Sequence, residues 1–165
     1  MIHNSSSGFS LIELLVVISI LGVLAGLVIS NVAGVRERAR DVQRKSDLYQ
    51  IKEALKLYHN DFDDYPATGT NGTIKGCGTT EAPADCSWGQ EFKKNNVSYM
   101  KVLPEDPSFT PESPVYNKYS RTDQDSFNLY AILENKSDKD IEGSQKKCLG
   151  STKDPQDYSY WVCAD

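Results

Sequence analysis

The type and position of Glu13 suggest a specific chemistry, because this acid stands at the head of a long apolar run. The 22 residues from Leu14 to Val35 carry no charge. An ionised carboxylate in hydrocarbon costs on the order of several kcal/mol, so we expect Glu13 to lie at a membrane interface or to find a partner of opposite charge. An interfacial acid with no further role is the simpler alternative.

Four cysteines form a second group with distinctive chemistry, and all of them follow the apolar run: Cys77, Cys86, Cys148 and Cys163. Their spacing matches neither a zinc site nor a CxxC redox motif, and both histidines, His3 and His59, lie outside the cysteine region. We therefore predict disulfides in an oxidising compartment. Four cysteines allow three connectivities. Nearness along the chain is the only reason to favour pairing Cys77 with Cys86 and Cys148 with Cys163.

The remaining candidate residues do not indicate a catalytic site. Asp61, Asp63 and Asp64 could offer oxygens to a hard cation, but they lack EF-hand spacing and fit a solvated helix end better. His59 lies among helix residues, and no phosphate-binding loop is recognisable. The net charge of -5 disfavours a general nucleic-acid binder. The sequence therefore predicts a protein that is not an enzyme and holds no cofactor.

The apolar run that positions Glu13 is long enough to cross a bilayer. A helix rises about 1.5 Å per residue, so the 22 uncharged residues from Leu14 to Val35 cover the roughly 30 Å hydrocarbon core. We therefore predict a transmembrane helix over residues 9–35. The run is too long for a secretory signal peptide and lacks its basic flank. The positive-inside rule alone would place the C-terminal side in the cytoplasm, because five basic residues follow: Arg36, Arg38, Arg40, Arg44 and Lys45. We give the cysteines more weight and predict a single-pass inner-membrane protein whose C-terminal part lies outside the cytoplasm.

Residues 36–64 predict an amphipathic continuation of the same helix. Apolar residues recur there at helical spacing and form one stripe: Leu48, Ile51, Leu55, Tyr58 and Phe62. Between Arg36 and Leu48 the only apolar residues are Ala39 and Val42, so we expect little of the head to cover this part of the helix. The sequence NDFDDYP predicts the helix end.

Residues 65–165 predict a globular head that begins with loops. Residues 67–87 are rich in Gly, Thr and Pro and predict an irregular excursion held by its cysteines. A short helix is expected around Gly89 to Lys94. Four prolines between Val97 and Pro114 exclude regular structure over much of the next segment.

The last third of the head predicts about three antiparallel strands. Polar and apolar residues alternate in 115–120 and 126–133, which indicates a β-hairpin. A charged loop at 134–156 then leads to a third strand at 157–163, where Tyr158, Tyr160 and Trp161 fit core or cross-strand packing. A long N-terminal helix packed against this small antiparallel sheet makes the predicted fold α+β.

The N-terminal sequence SGFSLIELLVVISILGVLAG resembles the processing and assembly signature of type IV pilins and type II secretion pseudopilins. The resemblance implies that residues 1–8 are a leader peptide, that a membrane peptidase cuts between Gly8 and Phe9, and that the new amine of Phe9 is methylated. It also implies that Glu13 pairs with the Phe9 amine of the neighbouring subunit. Cleavage would thus create the cation that the acid lacks.

Further sequences resemble the secretion branch of the family, namely the helix end DLYQIKEALKLYHNDFDDYP together with LPEDP and FNLYAILEN. Two features depart from the family pattern. Ser30 stands where many relatives have proline, and the leader lacks the usual basic residue. The C-terminal cysteine pair resembles pilin disulfide loops, so pilus and pseudopilus both stay open.

Related pseudopilins often carry a calcium loop between late strands. Acids occupy that region here: Asp138, Asp140, Glu142, Asp154 and Asp157. The family's glycine-rich pattern is not reproduced, so we predict no metal site.

The resemblance implies a structural subunit that is stored in the membrane and polymerises through its N-terminal helix. The filament is either a pilus or a type II secretion pseudopilus, located in the periplasm or at the cell surface. The implied partners are other copies of the chain, the prepilin peptidase, an assembly ATPase, a platform membrane protein and minor pilins or pseudopilins. The basic residues after the apolar run should face acidic patches of adjacent subunits or lipid headgroups. The alternative is a membrane-anchored exported binding domain that does not polymerise.

Overall fold

The computed structural model describes residues 9–29, 32–110, 117–151 and 157–164. The chain divides into two compact units, Met1–Arg36 and Glu37–Asp165. The first unit contains helix α1, Leu11–Ile29, which is apolar on every side. The predicted continuity between this helix and the next depends on Ser30 and Asn31, which lie outside the described residues.

Helix α2, Val32–Phe62, supplies one side of the core of the second unit. Leu48, Ile51 and Leu55 are completely buried, so the predicted apolar stripe is confirmed. The helix ends as the sequence predicts. Asp63 adopts a left-handed conformation with φ 49°, and its N–H donates to the carbonyl of His59 at 2.8 Å.

A five-stranded sheet occupies the segment that we predicted to be irregular. It consists of β1 Ala67–Thr68, β2 Ile74–Gly78, β3 Pro83–Cys86, β4 Phe92–Lys94 and β5 Val97–Met100. The strands run in the order β1-β2-β4-β5, with β3 also paired to β2, and the β2–β4 pair is parallel. The expected helix at 89–94 is wrong, because Gly89 has φ +77° and the chain then enters β4.

The second sheet contains the three antiparallel strands that the sequence predicts: β6 Lys118–Arg121, β7 Phe127–Ile132 and β8 Ser159–Cys163, in the order β6-β7-β8. Phe127, Leu129 and Ala131 of β7 are buried, as the alternation requires. On the other face, the ring of Trp161 stacks on Tyr130 with 4.4 Å between their centroids. Cross-strand packing is therefore one role of the C-terminal aromatic residues.

A third helix, α3 Asp140–Leu149, lies within the segment that we predicted to be a charged loop. Of its residues, only Ile141 and Gln145 are buried, so its apolar periodicity is too weak to detect. Contacts to β8 hold it instead. The side-chain amide of Gln145 donates to the carbonyl of Ser159 at 3.1 Å, and the N–H of Trp161 donates to Ser144 Oγ at 3.1 Å.

The core of the second unit lies between α2 and the strands. Residues of the stripe meet Phe92, Tyr99, Leu103, Tyr119, Phe127 and Leu129, which are all buried. Each large apolar side chain buried in this way contributes about 1.5–3 kcal/mol. Helix α2 and strands of both sheets thus share one core, and the predicted α+β fold is confirmed, although the first sheet is mixed and not purely antiparallel.

Candidate assembly site

Phe9 and Glu13 are the described residues of the predicted assembly site. Glu13 lies in the first turn of α1 and is the only charged residue in the sequence of that helix. Its N–H donates to the carbonyl of Ser10 at 3.1 Å. The N-terminus of a helix favours a carboxylate electrostatically. Phe9 is 75% exposed, and Gly8 of the predicted cleavage site lies outside the described residues.

The apolar side chains of α1 are exposed along the described part of the helix. Their exposed fractions range from 45% at Val17 to 83% at Leu11. A continuous apolar surface of this kind marks a contact with lipid or with other proteins. Within the described ranges, no helix reaches the length and apolarity needed to cross a membrane.

The second unit contains a buried charge cluster around Arg44, whose side chain is 2% exposed. Its guanidinium donates to both carboxylate oxygens of Asp106, at 2.7 and 2.8 Å, and to Asp41 at 2.6 Å. It also lies 2.7 Å from Glu134. Burial opposes the charge of Arg44, but the hydrogen bonds to these carboxylates outweigh that effect and raise its pKa. One cation of α2 thereby joins three segments of the second unit.

Asp41 and Arg40 complete this cluster. The carboxylate of Asp41 accepts the backbone N–H groups of Glu134 and Asn135, at 3.0 and 2.8 Å, which fixes the chain just after β7. Arg40 donates to Glu134 through Nε at 2.7 Å and also through Nη2. The hydrogen bonds from Arg40, and then those from Arg44, lower the pKa of Glu134 to about 2 although burial opposes them.

Asp47 lies in the same part of α2 but, unlike Glu134, its carboxylate is not stabilised by a nearby cation of the part of the chain that the structure describes. It is 7% exposed, and its Oδ2 has no hydrogen-bond partner among the described residues. Burial, and secondarily the charge of Asp106, raises the pKa of Asp47. This carboxylate therefore opposes folding when it is ionised.

Known proteins are similar to this chain both in the N-terminal helix and in part of the head. Residues 3–29 match the family model of the prokaryotic N-terminal methylation motif. Type II secretion system core protein G of Aeromonas hydrophila is 37% identical over 107 residues, which cover 64% of this chain and 69% of that protein. The protein of the same name from Pseudomonas aeruginosa is 33% identical over 132 residues, 79% of this chain and 84% of that protein.

The chain belongs to the type II secretion system core protein G family. A third member, from Escherichia coli, is 36% identical over 106 residues, 63% of this chain and 68% of that protein. No solved structure is similar enough to count as a match. The resemblance to the pseudopilin family is confirmed. The prediction that the chain is not an enzyme is also confirmed, since these relatives are named as core proteins of a secretion system.

In this core protein G family member, the described acids of the region where related pseudopilins carry a calcium loop bind other groups of the chain. Asp138 and Asp140 hold the ammonium of Lys45 between them, with 2.7 Å from its Nζ to each carboxylate. Across the described residues, no group of three or more His, Cys, Asp or Glu side chains is arranged to hold a metal. Asp154 lies outside the described residues.

The other polar candidates are engaged by neighbours in the head. Asp61 accepts a hydrogen bond from the hydroxyl of Tyr99 at 2.8 Å. Asp64 lies 2.9 Å from the guanidinium of Arg121. Nε2 of His59 is 3.1 Å from the carboxylate of Asp125, at the surface. These contacts fit stabilisation of the helix end, as the sequence indicates.

Both disulfides follow the pairing suggested by nearness along the chain. Cys77 and Cys86 join β2 to β3, and Cys148 and Cys163 join α3 to β8. The side-chain amide of Gln145, on the same helix as Cys148, donates to the carbonyl of Asp157 at 2.9 Å. The C-terminal disulfide therefore secures a helix that has little apolar burial of its own.

The charge cluster around Arg44 was not predicted, although the sequence contains a signal for it. Asp41 and Arg44 precede Leu48 at the spacing of three and four that defines the apolar stripe. The buried face of α2 is thus continuous and changes from charged to apolar at Leu48. Basic side chains that we expected to face lipid or other subunits, Arg40, Arg44 and Lys45, bind acids of their own chain.

Proposed function

We propose that the chain is a structural subunit of a type II secretion pseudopilus that polymerises through its N-terminal helix. The observation that carries the proposal is a single acid, Glu13, in the first turn of a helix whose other described side chains are apolar or small and exposed. The named relatives support the secretion pseudopilus over a surface pilus.

In the proposed mechanism, cleavage between Gly8 and Phe9 removes residues 1–8 and creates an amine, which is then methylated. Within one chain, Phe9 precedes Glu13 by four residues, or about 6 Å along a helix axis. A regular helix therefore keeps the two groups about a turn apart. The Phe9 amine of one subunit pairs with Glu13 of the next, and this pairing converts an unpaired charge into a buried ion pair that defines the axial register.

The apolar surface of residues 9–35 has two successive environments in this proposal. Before assembly it lies in the inner membrane, with residues 36–64 leading to a head outside the cytoplasm. During assembly the same side chains exchange lipid for helices of other subunits, and small residues such as Gly22 and Gly26, which have open space around them, permit close approach. The prepilin peptidase, an assembly ATPase, a platform membrane protein and minor pseudopilins are the proposed partners.

The test is Glu13→Gln, which removes the charge at nearly constant shape, in cells that contain the secretion machinery. We expect the variant to be recovered in the membrane fraction and to be absent from filaments isolated after cross-linking. The matched control is Glu53→Gln, because Glu53 is a carboxylate on α2 with a side chain that is 68% exposed. Normal filament yield from Glu13→Gln would refute the proposed role of the acid.

Processing is tested separately by the mass of the mature chain. We expect the loss of residues 1–8 and the gain of one methyl group at Phe9. An intact N-terminus in cells that have the peptidase would favour the alternative, a membrane-anchored exported binding domain that does not polymerise.

A further inference from the structure

The ammonium of Lys45 lies between two carboxylates at the entry to α3. Its Nζ is 2.7 Å from Asp138 Oδ1 and 2.7 Å from Asp140 Oδ2. The side chains of Lys45 and Asp138 are 16% and 18% exposed, whereas Asp140 is 67% exposed. Lys45 and Asp138 are thus largely shielded from water, and solvent reaches the site on the side of Asp140.

The surroundings show that the two acids are arranged around the ammonium. The N–H of Asp140 donates to Asp138 Oδ1 at 2.9 Å, and the N–H of Asp138 donates to the carbonyl of Asn135 at 3.1 Å. The ammonium also lies 5.2 Å from the centre of the Tyr160 ring. Burial opposes the charge of Lys45, but the hydrogen bonds to Asp138 and Asp140 outweigh it and raise its pKa. The lysine is therefore held as a cation.

We propose that the Lys45 ammonium is the structural cation of the loop between β7 and α3 and that it holds Asp138 and Asp140 in the way a bound divalent cation would. The loop then needs no metal. Because the ammonium fills the space between the carboxylates and repels a second cation, Ca²⁺ does not bind there in the native protein. This inference concerns the stability of the head and does not depend on the assembly proposal.

The geometry also predicts what happens when the ammonium is removed. Calcium binds oxygens at about 2.3–2.6 Å, so two carboxylate oxygens that each lie 2.7 Å from Nζ would move inward by only a few tenths of an ångström. Asp140 is open to solvent, and water can supply further ligands. A variant without the ammonium should therefore bind Ca²⁺ weakly, with a Kd on the order of 10⁻³ M.

The experiment measures the Tm of the full chain in a neutral detergent, with about 10 mM Ca²⁺ or with EDTA. We expect the Tm of the native protein to be the same in both conditions. Lys45→Met keeps most of the apolar stem and should lower Tm by about 2–4 °C in EDTA. Ca²⁺ should restore most of that loss, since a ligand that binds only the folded state stabilises it.

Two controls decide whether the site is the one proposed. Lys45→Met combined with Asp140→Asn should lose the response to Ca²⁺. Lys56→Met should show no response, because Lys56 lies on the same helix and its ammonium pairs with Glu53 at 3.4 Å. A native Tm that rises with Ca²⁺, or a Lys45→Met protein that Ca²⁺ does not stabilise, would overturn the inference.

Discussion

Replacing Arg44 with methionine tests the role of the buried charge cluster most directly. Methionine keeps much of the side-chain volume but removes the guanidinium that binds Asp106 and Asp41 at 2.6 to 2.8 Å. The side chains of Asp41 and Asp106 are only 2% and 1% exposed, so water cannot replace the lost cation. The variant therefore leaves two carboxylates buried without their main counter-charge.

The expected loss of stability follows from this burial. Breaking a buried ion pair by removing one partner costs about 3–5 kcal/mol. Arg40→Met is the matched control, because Arg40 lies one turn earlier on the same helix and binds the same Glu134, but its side chain is 33% exposed. An ion pair that water can reach contributes much less than a buried one. Arg44→Met should therefore cost several times more than Arg40→Met.

Urea unfolding of the full chain in detergent, followed by tryptophan fluorescence, measures both variants. Trp88 and Trp161 are buried in the second unit and report its unfolding. If the slope of the free energy of unfolding against urea concentration is the same as in the native protein, the substitution has changed the stability and not the compactness of the unfolded state. Equal losses for Arg44→Met and Arg40→Met would refute the reasoning, because burial would then not determine the cost.

Three further predictions use the same urea titration. Arg40 holds the pKa of Glu134 at about 2 against an ordinary 4.5, so the stabilisation from this carboxylate is complete above about pH 4.5 and is lost towards pH 2. Glu134→Gln should therefore reduce the dependence of the free energy of unfolding on pH in this range. An unchanged dependence on pH would contradict the assignment. Asp47→Asn should raise the free energy of unfolding at pH 7, because burial disfavours the charged carboxylate and the amide carries no charge. A loss of stability would show that a partner holds the charge of Asp47. Replacing Cys148 and Cys163 together by serine should cost about 3 kcal/mol for a separation of 15 residues, whereas an unchanged midpoint would show that the disulfide does not stabilise the head.

The parts of the fold that the sequence predicts correctly depend on local periodicity. The stripe Leu48, Ile51 and Leu55 repeats at helical spacing, and Asp63 follows directly where the helix ends. The alternation in β7 similarly identifies which side chains are buried. In each case the residues that specify the element lie within a few positions of one another.

The first sheet could not be predicted in this way. Strands β1 to β5 contain two to five residues, and Gly, Thr and Pro interrupt their alternation. A disulfide closes β2 on β3, and β4 pairs with β2 in parallel. Strands β2 and β4 are not neighbours along the chain, and their pairing leaves no periodic signal in the sequence of either strand. Helix α3 was missed for a related reason, since contacts to β8 hold it in place.

The sequence by itself determined the N-terminal signature, the amphipathic half of α2 and the presence of four cysteines. Only the tertiary structure decided what the charges after the apolar run do. Arg44 lies four residues before Leu48 on the buried face, but its carboxylates come from Asp41 on the same helix and from Asp106 and Glu134 far along the chain. A basic residue has the same sequence pattern whether it faces lipid, another subunit or a buried acid. The fold alone brings these acids within hydrogen-bond distance of Arg44, and a buried charge is stabilised where opposite charges meet it.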